Sequence, residues 1–174
     1  PASQQTTSGG ANTSITSPQL SATPTCPSDV RNQLIQAQSL LRKASDHTST
    51  ALEHSFNWES HVGSLDEQAM EEPVAEGDSE ASRLFDRLAY VVRRDRMSAE
   101  ELREAATKID SLQERVDKLM NQSNPAALST SELAEVSRLH STAKQANEDW
   151  ERDVRQALAI KHLIDYLVGD VYFV

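Results

Sequence analysis

His47, His54 and His61 stand seven residues apart, so on a helix all three share one edge. Successive members would lie ~10 Å apart along the axis, too far to share one metal ion. The spacing describes ordinary flanking positions against a neighbouring helix, with pH sensitivity as the only chemistry it offers. His140 and His162 read as isolated, and no Glu precedes any histidine by three, so the Glu-x-x-His pattern of di-iron bundles is absent. Cys26 is the only cysteine, which rules out an intrachain disulfide and a multi-cysteine metal site. The chain has no glycine-rich phosphate loop, no His-Glu-x-x-His and no serine on a glycine turn. Only Gly63 and Gly77 lie between residues 11 and 168, leaving little from which to build a backbone anion site. No catalytic residue, cofactor or metal is expected.

Charge gives a sharper signal. From Ala44 to Ser82 there is no Lys or Arg, while ten acids occur, among them Asp66, Glu67, Glu71, Glu72, Glu76 and Asp78. Elsewhere acids and bases balance, so the net charge of −10 is local to this run. A run of this kind reads as a solvated linker. Directly after it come Arg83, Arg87, Arg93, Arg94 and Arg96, interrupted by Asp86 and Asp95. The simplest expectation is internal pairing of these arginines with the acidic linker. Overall acidity argues against nucleic-acid binding, which depends on neutralising phosphates.

The elements that carry these residues are set by apolar periodicity. Three stretches of roughly forty residues hold apolar side chains spaced alternately three and four apart, and all six prolines lie outside them. The first seam includes Val30, Leu34, Leu41, Ala51, Trp58 and Leu65; the second Leu84, Leu88, Leu102, Ile109, Leu112 and Leu119; the third Val136, Leu139, Trp150, Ala157, Ile160 and Leu167. A repeat of this period keeps one helix face against a partner. The spacing predicts helices over about 28–65, 78–121 and 129–168, in an all-α, long antiparallel bundle or coiled coil running up-down-up. Residues 28–174 would form this one elongated domain.

Local signals refine the boundaries. Ser28 and Asp29 follow Pro27 and suit a helix start. Ser98-Ala99-Glu100-Glu101 and Ser129 with Glu132 have the form of capping boxes, Asn124-Pro125 ends the second segment, and Gly169 sits where a C-terminal cap belongs. The heptad register passes through Ser98 without a slip. One continuous second helix, with polar seam positions at Asp95 and Ser98, is therefore favoured over a break that would give four helices. Asp153 is the other acid on a seam, a costly place for a carboxylate unless it sets register or partner. Trp58 and Trp150 both fall on seams and are expected to fill a core layer, where they could meet.

Residues 1–27 contain no charge and are rich in Ser, Thr, Gln and Pro, a composition that cannot bury enough apolar surface to offset ordering, so a disordered tail is expected. At the other end, Leu158, Leu163, Tyr166, Leu167, Val171, Tyr172, Phe173 and Val174 form a cluster that a free monomer would expose, and such patches mark protein contacts. Ile35, Leu40, Leu52 and Phe56 similarly widen the apolar face of the first helix. No stretch approaches the ~18 apolar residues of a membrane span.

The function expected is a non-enzymatic helical scaffold or subunit of a larger multiprotein complex. Its partners would be other helical subunits or copies of itself. The alternative is a secreted or surface-exposed helical bundle, of a parasite or viral type, whose leader is glycosylated or flexible. The lone cysteine weakly favours an intracellular setting, cytoplasmic or nuclear, over a secreted one.

Overall fold

The computed structural model describes residues 26–62 and 79–172, and the side chains of all but Ser79 and the last five of these. Among the described residues four helices follow one another: α1 (Pro27–His61), α2 (Ser79–Arg93), α3 (Ala99–Met120) and α4 (Thr130–Tyr172). They pack as an up-down-up bundle in which α2 and α3 together make the descending rod. Gln38 on α1 donates to Asp117 on α3, and Arg115 on α3 pairs with Glu132 on α4, so α3 runs against both. Asn147 lies beside His47, and the Lys161 ammonium donates to the His61 carbonyl, so α1 and α4 run in the same direction.

Several helix ends differ from those the sequence predicts. Pro27 is itself the first residue of α1 and Cys26 its N-cap, because a missing N–H and a fixed φ suit the first helical position. The last two residues of the expected tail over 1–27 thus belong to the helix start, while residues 1–25, Leu65 and the acids from Asp66 to Asp78 lie outside the described residues. The second helix is not continuous. It breaks over Arg94–Ser98, so Asp95 is exposed in a connector and Ser98 is a cap rather than a seam residue. The Ser98 hydroxyl accepts from the Glu101 N–H, and the Glu101 carboxylate accepts from the Ser98 N–H. Unbroken register told against this capping box, yet a compact five-residue connector lets the apolar stripe resume on the same side. Ser129 and Glu132 form the second expected box at the start of α4. Gly169 does not end that helix, which continues to Tyr172. Glycine permits a left-handed stop without compelling one, and costs a helix interior only about 1 kcal/mol relative to alanine.

Two apolar clusters fill the bundle. Towards the start of α1 the core combines Leu34, Ala37 and Leu41 with Ile109 and Val116 of α3 and with Val136 and Leu139 of α4. Gln33 is buried there and accepts from the Leu128 N–H, fixing the loop before α4. Towards the other end, Trp58 and Val62 meet Leu84, Leu88 and Val91 of α2 and Trp150, Ala157 and Ile160 of α4. Met97, in the connector, packs against both clusters. Alanines 37 and 44 let α3 approach α1 closely, whereas α2 leans on α4 and reaches α1 only through large side chains such as Trp58.

The seam explains which substitutions should matter. Leu34 is fully buried, so Leu34→Ala is expected to cost about 2–5 kcal/mol in urea unfolding through lost transfer energy and a residual cavity. Leu112, which the periodicity puts on the same footing, is only half-buried at the edge of that cluster, and Leu112→Ala should cost clearly less.

Candidate functional site

The polar chemistry of the chain converges on the break between α2 and α3. Asp153, on the core face of α4, is completely buried. Its carboxylate accepts from Arg94 at 3.1 Å, from Arg96 at 2.9 Å and from the neighbouring Arg152 at 3.1 Å. Arg96 is itself nearly buried, and its guanidinium lies 4.2 Å from the ring centre of Trp58 and 4.8 Å from that of Trp150. The two indoles meet edge to face with centroids 6.0 Å apart, as their seam positions allow.

The same groups satisfy the backbone that the break exposes. Arg96 donates to the carbonyls of Val91, Val92 and Arg94 at 3.0–3.4 Å, closing the C-terminal end of α2, where a cation also suits the helix dipole. The Trp150 indole N–H donates to the Met97 carbonyl at 2.8 Å. Arg94 reaches outward as well, stacking on Tyr90 at 5.3 Å, and hydrogen bonding to Tyr90 and then to Asp153 holds its pKa above the usual arginine value. This constellation can clamp helices together; it offers a buried ion pair rather than a nucleophile or an open acid–base couple.

The arginine cluster therefore divides. Arg94 and Arg96 pair with Asp153, while Arg83, Arg87 and Arg93 are exposed on α2 with no ion-pair partner among the described residues, which do not include the acids from Asp66 to Asp78. Sequence reasoning placed Asp153 on a seam but did not find its cations. The available signal was that an acid on a core face requires one, and the densest cations precede the Ser98 capping box.

His47 and His140, the latter expected to be isolated, lie on facing sides of α1 and α4 with ring centres 6.0 Å apart. Desolvation, then His47, Lys43 and Lys144, push the His140 pKa below its usual value. His54 is half-buried and His61 exposed at the end of α1. No group of three or more metal-ligating side chains occurs among the described residues, and no helix there is long and apolar enough to cross a membrane.

Of the residues expected to form a contact surface, Leu163 and Tyr166 are 51 % and 68 % exposed. Leu158 and Leu167 are half-buried and pack on the core. Val171 and Tyr172 belong to α4 by their backbone, their side chains being outside the described set, as are Phe173 and Val174. Phe56, Tyr90 and Ile35 are further exposed apolar residues, of which Tyr90 carried no signal in the periodicity. Comparison with protein-family models, curated proteins and solved structures finds no match for this chain.

Two predictions rest on this geometry. Asp153→Ala strands the buried Arg96 and should cost about 3–5 kcal/mol by urea unfolding, and combining it with Arg96→Met should cost less than the sum of the two single changes. For His140, the folded protein binds fewer protons than the unfolded chain near its ordinary pKa. Its contribution is present at neutral pH and is lost as pH falls through about 6.5 towards the lower folded value. The melting temperature should therefore fall on acidification, with a shallower slope in His140→Gln.

Proposed function

We propose that this chain is a non-enzymatic helical scaffold or subunit of a larger protein assembly, binding other helical chains or copies of itself. The observation that supports this reading is the exposure of Leu163 and Tyr166 on the far end of α4, a helix whose backbone continues to Tyr172. Large apolar side chains set one turn apart on an open helix face gain by being covered. Phe56, 72 % exposed on α1, and Tyr90 on α2 extend the apolar surface beyond α4. Asp153 and Arg96, by contrast, are occupied in holding the helices in place.

Light scattering on the full chain, with recovery of co-purifying chains from the native source, tests the reading. The expected result is a mass above the 19.2 kDa of one chain, or a stoichiometric partner, lost in Leu163→Glu/Tyr166→Glu. A monomer with no partner, or an assembly unaffected by both substitutions, would overturn it.

A further inference from the structure

The face of α2 that turns away from α1 is both basic and aromatic. Arg83, Arg87 and Tyr90 recur at helical spacing along it and Arg94 follows at the start of the connector, a line of arginines in a chain whose net charge is −10. Alongside runs α4, antiparallel, presenting Gln156, Ile160 and Leu163, and between the two helices lies an open groove of about 510 Å³. Tyr90 and Leu163 line this groove while remaining 66 % and 51 % exposed, so apolar surface is presented inside a basic frame. Among the described residues Asp86 is the one acid on its wall.

We propose that this groove docks an acidic amphipathic helix of a partner protein. This rests on the reading of the chain as an assembly subunit and specifies the chemistry of one partner. The apolar stripe of such a helix would cover Tyr90 and Leu163, and its flanking carboxylates would meet Arg83, Arg87 and Arg94. That is helix-in-groove recognition, in which apolar anchors supply affinity and charge sets orientation and choice. From Gln156 to Leu163 the groove wall spans ~10 Å, or about two turns of a docked helix. Arg94 joins the groove to the core, since the same guanidinium contacts Tyr90 and Asp153.

The test uses the full chain and three labelled peptides read by fluorescence anisotropy. One is an 18-residue helix with leucines spaced three and four apart and glutamate elsewhere; the second replaces every glutamate with lysine; the third is residues 64–80 of this chain. The glutamate peptide should bind, about tenfold or more weaker with Tyr90→Ala or with Arg83→Glu/Arg87→Glu, surface changes whose folding circular dichroism verifies. The lysine peptide should bind the charge-reversed variant better than the wild type. Equal binding of the glutamate and lysine peptides, no binding of either, or indifference to Tyr90→Ala would overturn the proposal. Stronger binding of the 64–80 peptide than of the glutamate peptide would also overturn it, assigning the groove to a second copy. If the native assembly persists in both groove variants, the groove proposal fails while the subunit reading stands. A native chain that is monomeric and partnerless sinks the subunit reading itself.

Discussion

A carboxylate placed on a core seam fixes much of this structure. Taking Asp153 out of water carries a desolvation penalty of several kcal/mol, which is offset only if cations and hydrogen-bond donors come to it in good geometry. No cation on the core faces of α1 or α3 does so. Arg152 reaches Asp153 from the same helix, and the other two cations are delivered by the chain segment between α2 and α3, which leaves the helical path to bring Arg94 and Arg96 inward. Once there, Arg96 replaces the lost helical hydrogen bonds by donating to three carbonyls, and Ser98 with Glu101 restarts the helix. The break and the buried charge stabilise each other, since a continuous helix would hold its arginines in other positions and leave Asp153 with Arg152 alone.

The two indoles complete the arrangement. A guanidinium is weakly hydrated and planar, so it tolerates burial between aromatic faces where an ammonium would not. Trp58 from α1 and Trp150 from α4 supply those faces, and Trp150 also donates to the connector at Met97. All three rods are thus tied at one level, within the second apolar cluster and beside Met97, which packs against both. Large rings at this level also hold α2 away from α1, in contrast to the alanine-lined approach of α3.

Much of the fold was legible from periodicity. Leu34, Ile109 and Val136 lie on seams and are buried, Ser129 and Glu132 cap as their spacing indicates, and the tryptophans meet. What periodicity could not show is where the path of a helix departs from its axis and returns in phase. Asp95 and Ser98 kept the register on paper because a heptad count is blind to a connector that preserves the side of the stripe. The local capping signal was the better guide there, since it reports on specific backbone donors. Gly169 shows the converse: its chemistry allows a stop, and the helix passes through. Long-range pairings such as His47 with His140 and Arg96 with Asp153 depend on how helices are set against one another, which spacing along one helix does not encode.

The candidate contact surface was legible in part for the same reason. Leu163 and Tyr166 stand out in sequence because they crowd the C-terminal end of a seam, and they are exposed; Leu158 and Leu167, equally apolar, are half-buried and serve the core. Tyr90 drew no attention because it lies off the seam of its helix, yet it becomes the aromatic floor of the basic face once α2 is tilted onto α4. Arg94 links the two levels of organisation. Its outward contact with Tyr90 and its inward contact with Asp153 use one rigid, forked cation. Any helix that draws Arg94 outward would weaken one of the three bonds to Asp153, while the more deeply placed Arg96 retains the pair. The bundle can therefore present a cation to a partner without losing the interaction that holds its broken rod together.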